Sequence, residues 1–440
     1  MEIISRFAPS PTGFLHVGNI RTAILNYMIS RSKNGKFILR IDDTDNTRSK
    51  KEFVDEIKYD LEWLGIEWDQ IVHQSSRLDL YSSLANFLKK NGRLYECFET
   101  KEELDLKRKK LLNSGKPPIY DRASLYMTEN KKNDLRHNRK SYWRFLLNHE
   151  RIEWKDEIIG KTSIDTASLS DPVLIRADGQ FLYTLASVKD DVDFSISNVI
   201  RGLDHVTNTA VQIQIMKTFS NEIPSFAHHS LLTGSKGEQL SKRIGSLSVK
   251  ELREEGIEPK AIISFLSSLG SSRSTSKLFE KVEILDNFSL NTFGSAPTKF
   301  DKQILSNLSV KTFSSINYDT VEELIELQIP ENVRKQFWEM AKENIKTRKE
   351  LVKLWDLCKN GTTPVIKKED IEFIKICFSF IPEKPRDENS WINWINQIKI
   401  KTGRQGKNIY MPLRKALTGL ESGPDMKKLF PLLQKVPKFK

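Results

Sequence analysis

Cysteine is scarce in this chain: Cys97, Cys358 and Cys377 are the only three among 440 residues, far apart and odd in number. That argues against a disulfide framework and fits a reducing compartment, so a cytoplasmic protein is expected. No run of about 18 apolar residues occurs, which argues against a membrane span. The chain enters an apolar strand pattern at once (Ile3, Ile4), so no signal peptide is expected. Internal repeats and long low-complexity tracts are also missing.

What is present is a soluble, globular composition, with 38% hydrophobic and 29% charged residues. The length allows about two to four domains with substantial cores. The formal charge of +12 fits a polyanionic partner. It fits equally a lysine-biased surface, since Lys50-Lys51, Lys107 to Lys110 and Lys131-Lys132 read as solvated faces.

The most informative stretch is Arg6-Phe-Ala-Pro-Ser-Pro-Thr-Gly-Phe-Leu-His16-Val-Gly18-Asn19. A short apolar run leads into a Pro-Ser-Pro-Thr-Gly turn, and an amphipathic run from Ile20 to Ser30 follows. This predicts a buried strand, a tight loop and a helix whose free N-terminal N–H groups face the loop. Such a helix start attracts phosphate. Gly13 and Gly18 would allow close approach of a ligand, and His16 and Thr12 would add donors. Far downstream, Gln239-Leu-Ser-Lys-Arg243 follows the polar, glycine-bearing stretch Thr233-Gly-Ser-Lys-Gly-Glu. A loop carrying Ser241, Lys242 and Arg243 suits a nucleotide whose charge grows during reaction, with Lys242 as a flexible point charge.

Residues 2–95 alternate strand and helix: Ile3–Phe7, a helix over 19–33, Lys36–Ile41, a helix over 49–64 and another over Tyr81–Asn91. This βαβ rhythm predicts an α/β fold with a mostly parallel sheet, binding ligands at the carboxyl ends of its strands. From Cys97 to about Val188 the rhythm breaks into a helical stretch (Lys101–Asn113) and shorter mixed pieces, then resumes over Asp190–Arg201 and Ala210–Phe219. An inserted domain between two halves of one sheet explains this. Ser248–Glu254 and Pro259–Leu269 read as short helices. Further helical segments are expected near 320–327, 331–355, 369–379, 388–402 and 424–434.

The pairing of His16-Val-Gly-Asn19 with Leu240-Ser-Lys-Arg243 resembles the two signature motifs of class I aminoacyl-tRNA synthetases. Phe7-Ala-Pro-Ser-Pro-Thr-Gly13, Leu39-Arg-Ile-Asp42-Asp-Thr-Asp45 and Val199-Ile-Arg201-Gly-Leu-Asp-His205 are similar to the glutamyl-tRNA synthetase family in particular. The resemblance runs from residue 2 to about 430. It implies a Rossmann-like catalytic domain over 1–95 and 189–245 and an inserted acceptor-binding domain over 96–188. A helical stem-contact region over 246–319 and an all-helical anticodon-binding domain over 320–440 would follow.

The implied activity is attachment of glutamate to tRNA-Glu with ATP, through glutamyl-adenylate. Both nucleophiles come from the substrates, so alignment and charge stabilisation suffice and no catalytic serine, cysteine or carboxylate pair is required. Magnesium would arrive with ATP. The resemblance assigns His16 and Lys242 to catalysis, and His16, Gly18, Asn19, Leu231, Leu232, Ser241, Lys242 and Arg243 to ATP. It assigns Arg6, Ala8, Ser10, Asp42, Tyr183, Ser187, Arg201 and His205 to glutamate, with an arginine fork suited to the side-chain carboxylate and Asp42 to the α-ammonium. Three positions depart from the family pattern. Gln239 stands where lysine is usual, Asp42 is one methylene shorter than the usual glutamate, and Leu203 replaces a frequent acid.

Some family members hold zinc in the insertion. Here Cys97-Phe-Glu99-Thr100 and Tyr120-Asp-Arg-Ala-Ser124 offer one thiolate, too few for a tetrahedral site, so no zinc is expected. Thr100 with Glu103 reads instead as a capping box. For tRNA, Gly403-Arg404-Gln-Gly406-Lys407 and Pro412-Leu-Arg414-Lys415-Ala-Leu-Thr418-Gly419 resemble the C-terminal family signature and could meet phosphates. Trp391, Trp394 and Tyr410 are available to stack on bases, but a buried core role is the expectation for them. The chain is expected to be monomeric. Alternatives are a relaxed enzyme that also charges tRNA-Gln, a truncated paralogue acting on a modified base (against which the helical 320–440 region argues), and a non-catalytic tRNA-binding paralogue.

Overall fold

The computed structural model describes residues 2–234, 237, 247–316, 318 and 329–437. The chain divides into two compact units, residues 1–251 with 263–301, and residues 252–262 with 302–440.

The first unit begins with β1 (Ile4–Phe7), α1 (Val17–Arg31), β2 (Lys36–Ile41), α2 (Lys51–Trp63), β3 (Gln70–His73) and α3 (Leu78–Lys90). Then come β4 (Leu94–Cys97), α4 (Lys101–Asn113), α5 (Glu129–Asn138), β5 (Tyr142–Phe145), β6 (Arg151–Asp156), β7 (Gly160–Asp165) and β8 (Val173–Ile175). The parallel theme resumes with α6 (Tyr183–Asp193), β9 (Asn198–Gly202), α7 (Val206–Met216) and β10 (Ser225–His229). The five-stranded sheet has the order β10-β9-β1-β2-β3 and is parallel throughout. The chain therefore winds away from β1 in one direction through β2 and β3, and in the other through β9 and β10. The reversal lies between β1 and β9, where ligands bind in open α/β sheets. Arg6 and Arg201 stand near the carboxyl ends of those two strands.

Burial explains the local choices. β2 reads Phe37-Ile-Leu-Arg-Ile41 with every residue buried, as a central strand covered on both faces must be. In α1, Ile20, Ala23, Ile24, Leu25, Tyr27 and Met28 are buried together with the polar Arg21, Asn26 and Ser30, so the helix is covered nearly all round rather than along one stripe. Between the two parallel halves, β4, β5 and β8 form an antiparallel sheet and β6 pairs with β7 as a hairpin. The Glu157 amide at the tip of β6 donates to the Phe226 carbonyl of β10 (2.9 Å), fixing the hairpin on the parallel sheet. The Thr100–Glu103 capping box forms as expected.

The second unit is helical where described, with helices at Glu331–Ala341, Arg348–Asn360, Ile371–Phe378, Glu388–Thr402 and Lys407–Thr418. Its core gathers Trp338, Trp355, Trp391, Trp394 and Phe430, with Trp394 stacked on Phe430 at 5.2 Å between centroids. Trp391 and Trp394 are thus core residues, whereas Tyr410 is exposed, so the expected core role fails for the tyrosine. The single helix expected over 331–355 is two, because Thr347 caps a new helix by accepting from the Glu350 amide. The segment 424–434 holds only the short helix Met426–Leu429 and a 3-10 turn over Phe430–Leu432, Pro431 having no N–H to extend the ladder. The segment 320–327 lies outside the described residues. No described helix is long and apolar enough to cross a membrane.

Candidate active site

The loop between β1 and α1 is held by its own backbone and by its neighbours. The Thr12 amide donates to Ser10 O (2.8 Å), Asp42 N to Pro9 O (3.0 Å) and Lys50 N to Pro11 O (3.1 Å). The edge of Phe14 meets Phe53 of α2, with centroids 5.3 Å apart. Above the carboxyl ends of β1 and β9 this leaves a cavity of about 730 Å³.

At its rim the structure corrects the expectation of free helix amides. His16 Nδ1 accepts from the Gly18 amide (3.1 Å) and the Asn19 amide (3.3 Å), and the Asn19 side chain accepts from the His16 amide (3.3 Å). The Val17 amide donates to Leu247 O (3.1 Å). The first turn of α1 is therefore satisfied within the protein. Gly18 serves this cap: a Cβ there would stand 2.9 Å from His16 Cε1, so the glycine makes room for the imidazole. With Nδ1 accepting, the proton of the neutral ring sits on Nε2 and makes that edge a donor. Burial holds the His16 pKa below the usual histidine value, favouring this neutral form.

Arg6, Ala8, Ser10, Asp42, Tyr183, Arg201 and His205 all line the cavity, as do His16, Gly18, Asn19, Leu231 and Leu232. Ser187 does not. It is fully buried behind the wall, where its hydroxyl accepts from Gln212 Nε2 (2.8 Å). Gln239, Ser241, Lys242 and Arg243 lie outside the described residues.

The two cavity arginines are held in opposite ways. Arg6 donates to Asp191 through Nε (3.0 Å) and Nη2 (3.4 Å). Asp191 also takes Arg40 Nη1 (2.7 Å), and Arg40 Nε grips Asp42 (2.7 Å). A buried row of alternating charge results, Arg6–Asp191–Arg40–Asp42. Burial pushes the Asp42 carboxyl up, Arg40 only partly offsets this, and its pKa stands at about 6. For Asp191, burial acts the same way, but Arg6 and Arg40 outweigh it and hold the carboxyl below its usual range.

Arg201 has no carboxylate partner among the described residues. Its Nη2 donates to Thr209 Oγ1 (2.6 Å) and Gln212 Oε1 (2.7 Å), its Nη1 to Tyr183 OH (3.2 Å) and its Nε to His228 Nε2 (3.4 Å). Every partner is neutral. The side chain is 5% exposed, and burial lowers its pKa.

Asp191, Arg40, Thr209, Gln212 and His228 were not found from the sequence. Arg40 alone left a local signal: it stands on β2 two residues before Asp42, which follows directly after the strand ends at Ile41. In the insertion, Glu99 gathers the hydroxyls of Tyr120 (2.8 Å), Ser124 (2.9 Å) and Tyr142 (3.2 Å), with Cys97 Sγ 3.7 Å from Tyr120 OH. Burial pushes the Cys97 thiol up to about 11. Among the described residues no cluster of three metal-ligating side chains is present.

Comparisons with known proteins point to one family. Residues 2–307 match the model of the class I tRNA synthetase (E and Q) catalytic domain. The chain is 54% identical over 434 residues to glutamate–tRNA ligase 2 of Ruegeria sp. (strain TM1040), covering 98% of each. It is 53% identical to glutamate–tRNA ligase 1 of Ruegeria pomeroyi, again over 98% of each chain. Among solved structures it resembles a glutamate tRNA ligase from Elizabethkingia meningosepticum in complex with its amino acid. That likeness has a TM-score of 0.79 and 26% identity, over 98% of this chain and 97% of the other.

Proposed function

The chain belongs to the class I tRNA synthetases of the glutamate and glutamine group, and from that membership we propose that it joins glutamate to tRNA-Glu at the expense of ATP. The observation that carries the choice of amino acid is Arg201, a buried cation surrounded by neutral acceptors. A buried charge without a counter-ion is costly, and an incoming carboxylate supplies the missing partner. A carboxamide does not, which favours glutamate over glutamine.

In the first step the α-carboxylate of glutamate attacks the α-phosphorus of ATP and pyrophosphate leaves. In the second, a terminal ribose hydroxyl of tRNA attacks the adenylate carbonyl and AMP leaves. The protein aligns the reactants and meets developing charge. Asp42 receives the α-ammonium, Arg201 the side-chain carboxylate with Arg6 beside it, and Tyr183 and His205 wall the pocket, backed by Ala8 and Ser10. His16 donates through Nε2 to phosphate, with Gly18, Asn19, Leu231 and Leu232 around the nucleotide. Ser241, Lys242 and Arg243 complete the phosphate contacts, with Lys242 neutralising the leaving charge. Magnesium enters as part of the nucleotide substrate. Residues 96–188 would grip the acceptor end, 246–319 the stem and 320–440 the anticodon. The enzyme acts as a monomer in the cytoplasm.

The test is aminoacylation of separate tRNA-Glu and tRNA-Gln transcripts with radiolabelled glutamate, ATP and magnesium. Charging of tRNA-Glu alone is expected. Charging of both makes the enzyme a relaxed one, and charging of neither, with native tRNA also inert, defeats the proposal.

A further inference from the structure

Behind Arg201 a buried chain of side chains runs to the β6–β7 hairpin. Asp156, the last residue of β6, places Oδ2 2.6 Å from His228 Nδ1. His228 Nε2 lies 2.9 Å from Thr209 Oγ1, and that hydroxyl accepts from Arg201 Nη2 at 2.6 Å. The side chains of Asp156 and His228 are wholly shielded from solvent. Asp156 is fixed in turn, because its Oδ1 accepts from the amides of Ile158, Ile159 and His228.

The chemistry of the chain has one direction. The Asp156 carboxylate takes the proton-bearing Nδ1–H of the imidazole, leaving the Nε2 lone pair facing Thr209 and Arg201. That edge accepts from the Thr209 hydroxyl and lies 3.4 Å from Arg201 Nε. With the other tautomer, an N–H would point at a guanidinium N–H. The carboxylate thus selects, at two removes, an acceptor surface for a cation it does not itself touch.

We propose that Asp156, His228 and Thr209 form a positioning relay that aims Arg201 at the side-chain carboxylate of glutamate. The glutamate pocket is then completed by a hairpin that falls between β5 and β8 in sequence, outside the parallel sheet that builds the rest of the pocket. This rests on the reading of Arg201 as the carboxylate receptor.

Asp156→Asn tests the relay. The asparagine oxygen can keep the three backbone amides, while its NH₂ faces His228 Nδ1 and drives the ring proton to Nε2. The same substitution in a serine-protease triad works by this reversal of tautomer. The expected result is a rise of about tenfold or more in KM for glutamate, with KM for ATP within about twofold and a near-normal melting temperature. In ¹⁵N spectra the His228 nitrogens, assigned through His228→Gln, should exchange protonated and unprotonated character between native protein and variant. Thr209→Val, which keeps the volume but removes the hydroxyl, should raise KM for glutamate similarly and serves if Asp156→Asn folds poorly. A reversed tautomer with unchanged KM for glutamate would overturn the relay, as would equal rises for both substrates. Arg201→Ala separates the two layers of the argument. If it leaves KM for glutamate unchanged, the assignment of Arg201 fails. If it raises KM while Asp156→Asn and Thr209→Val do not, only the relay fails.

Discussion

Arg6 and Arg201 face one cavity from adjacent parallel strands, yet only Arg6 is neutralised by a carboxylate, that of Asp191 at 3.0 Å. Both arginines occupy family positions, and sequence alone treats them as equivalent. Their partners separate them: Arg6 belongs to a balanced ionic row, and Arg201 is held by neutral partners alone among the described residues.

Arg201→Gln should therefore raise KM for glutamate at least about a hundredfold while leaving KM for ATP nearly unchanged, since a charge-assisted bidentate contact is worth roughly 3 kcal/mol in a dry site. Pyrophosphate exchange at varied glutamate and ATP reads this directly. Parallel changes in the two constants would contradict the role.

His16 caps α1 and is proposed to donate to phosphate, and two variants divide these roles. His16→Ala loses both the cap, about 1 kcal/mol, and the Nε2 donor. His16→Asn keeps a good capping side chain but has no donor reaching the phosphate. Adenylate formation should fall by about tenfold or more in both, while only the alanine variant should melt measurably earlier. Full activity in His16→Asn would reduce the histidine to a helix cap.

The Asp42 carboxyl, at about 6, sets a pH dependence. The α-ammonium needs the carboxylate form, so glutamate affinity should be flat above pH 6 and weaken about tenfold per unit below it. Burial does most to set where the break falls, with Arg40, Asp190 and Arg6 adjusting it. In Asp42→Asn the affinity should be low at every pH and the break near 6 absent. Persistence of that break in the variant would assign it to another group.

Glu99 serves three hydroxyls in the insertion. Glu99→Ala strands those donors and should cost roughly 1–3 kcal/mol each way it is measured, by denaturant or heat. Dialysis against EDTA should leave the melting temperature of the native protein where it was. A chelator-dependent loss of stability would reveal a metal at this knot.

The parallel sheet, α1 and the lining of the pocket were legible because they rest on local signals: apolar runs of strand length, a proline-rich turn and family motifs. The supports of the site were not. Asp191 lies 185 residues from Arg6 and Asp156 lies 72 from His228, and no periodicity marks such pairs. His16 hid its capping role because histidine is not a usual N-cap, so the pattern His-Val-Gly-Asn read as ligand contact alone. The family resemblance placed Ser187 in the pocket, but its side chain turns inward to Gln212.

The alternating row Arg6–Asp191–Arg40–Asp42 has an evolutionary consequence. Each charge is stabilised by the next, so changing one residue toward another amino-acid substrate leaves a buried neighbour uncompensated. A variant that removes a single charge should therefore be impaired in folding as well as in binding. The four residues, one on β1, one on β2, one directly after β2 and one on α6, thus form a single charge set, and a change of specificity within it calls for several exchanges together.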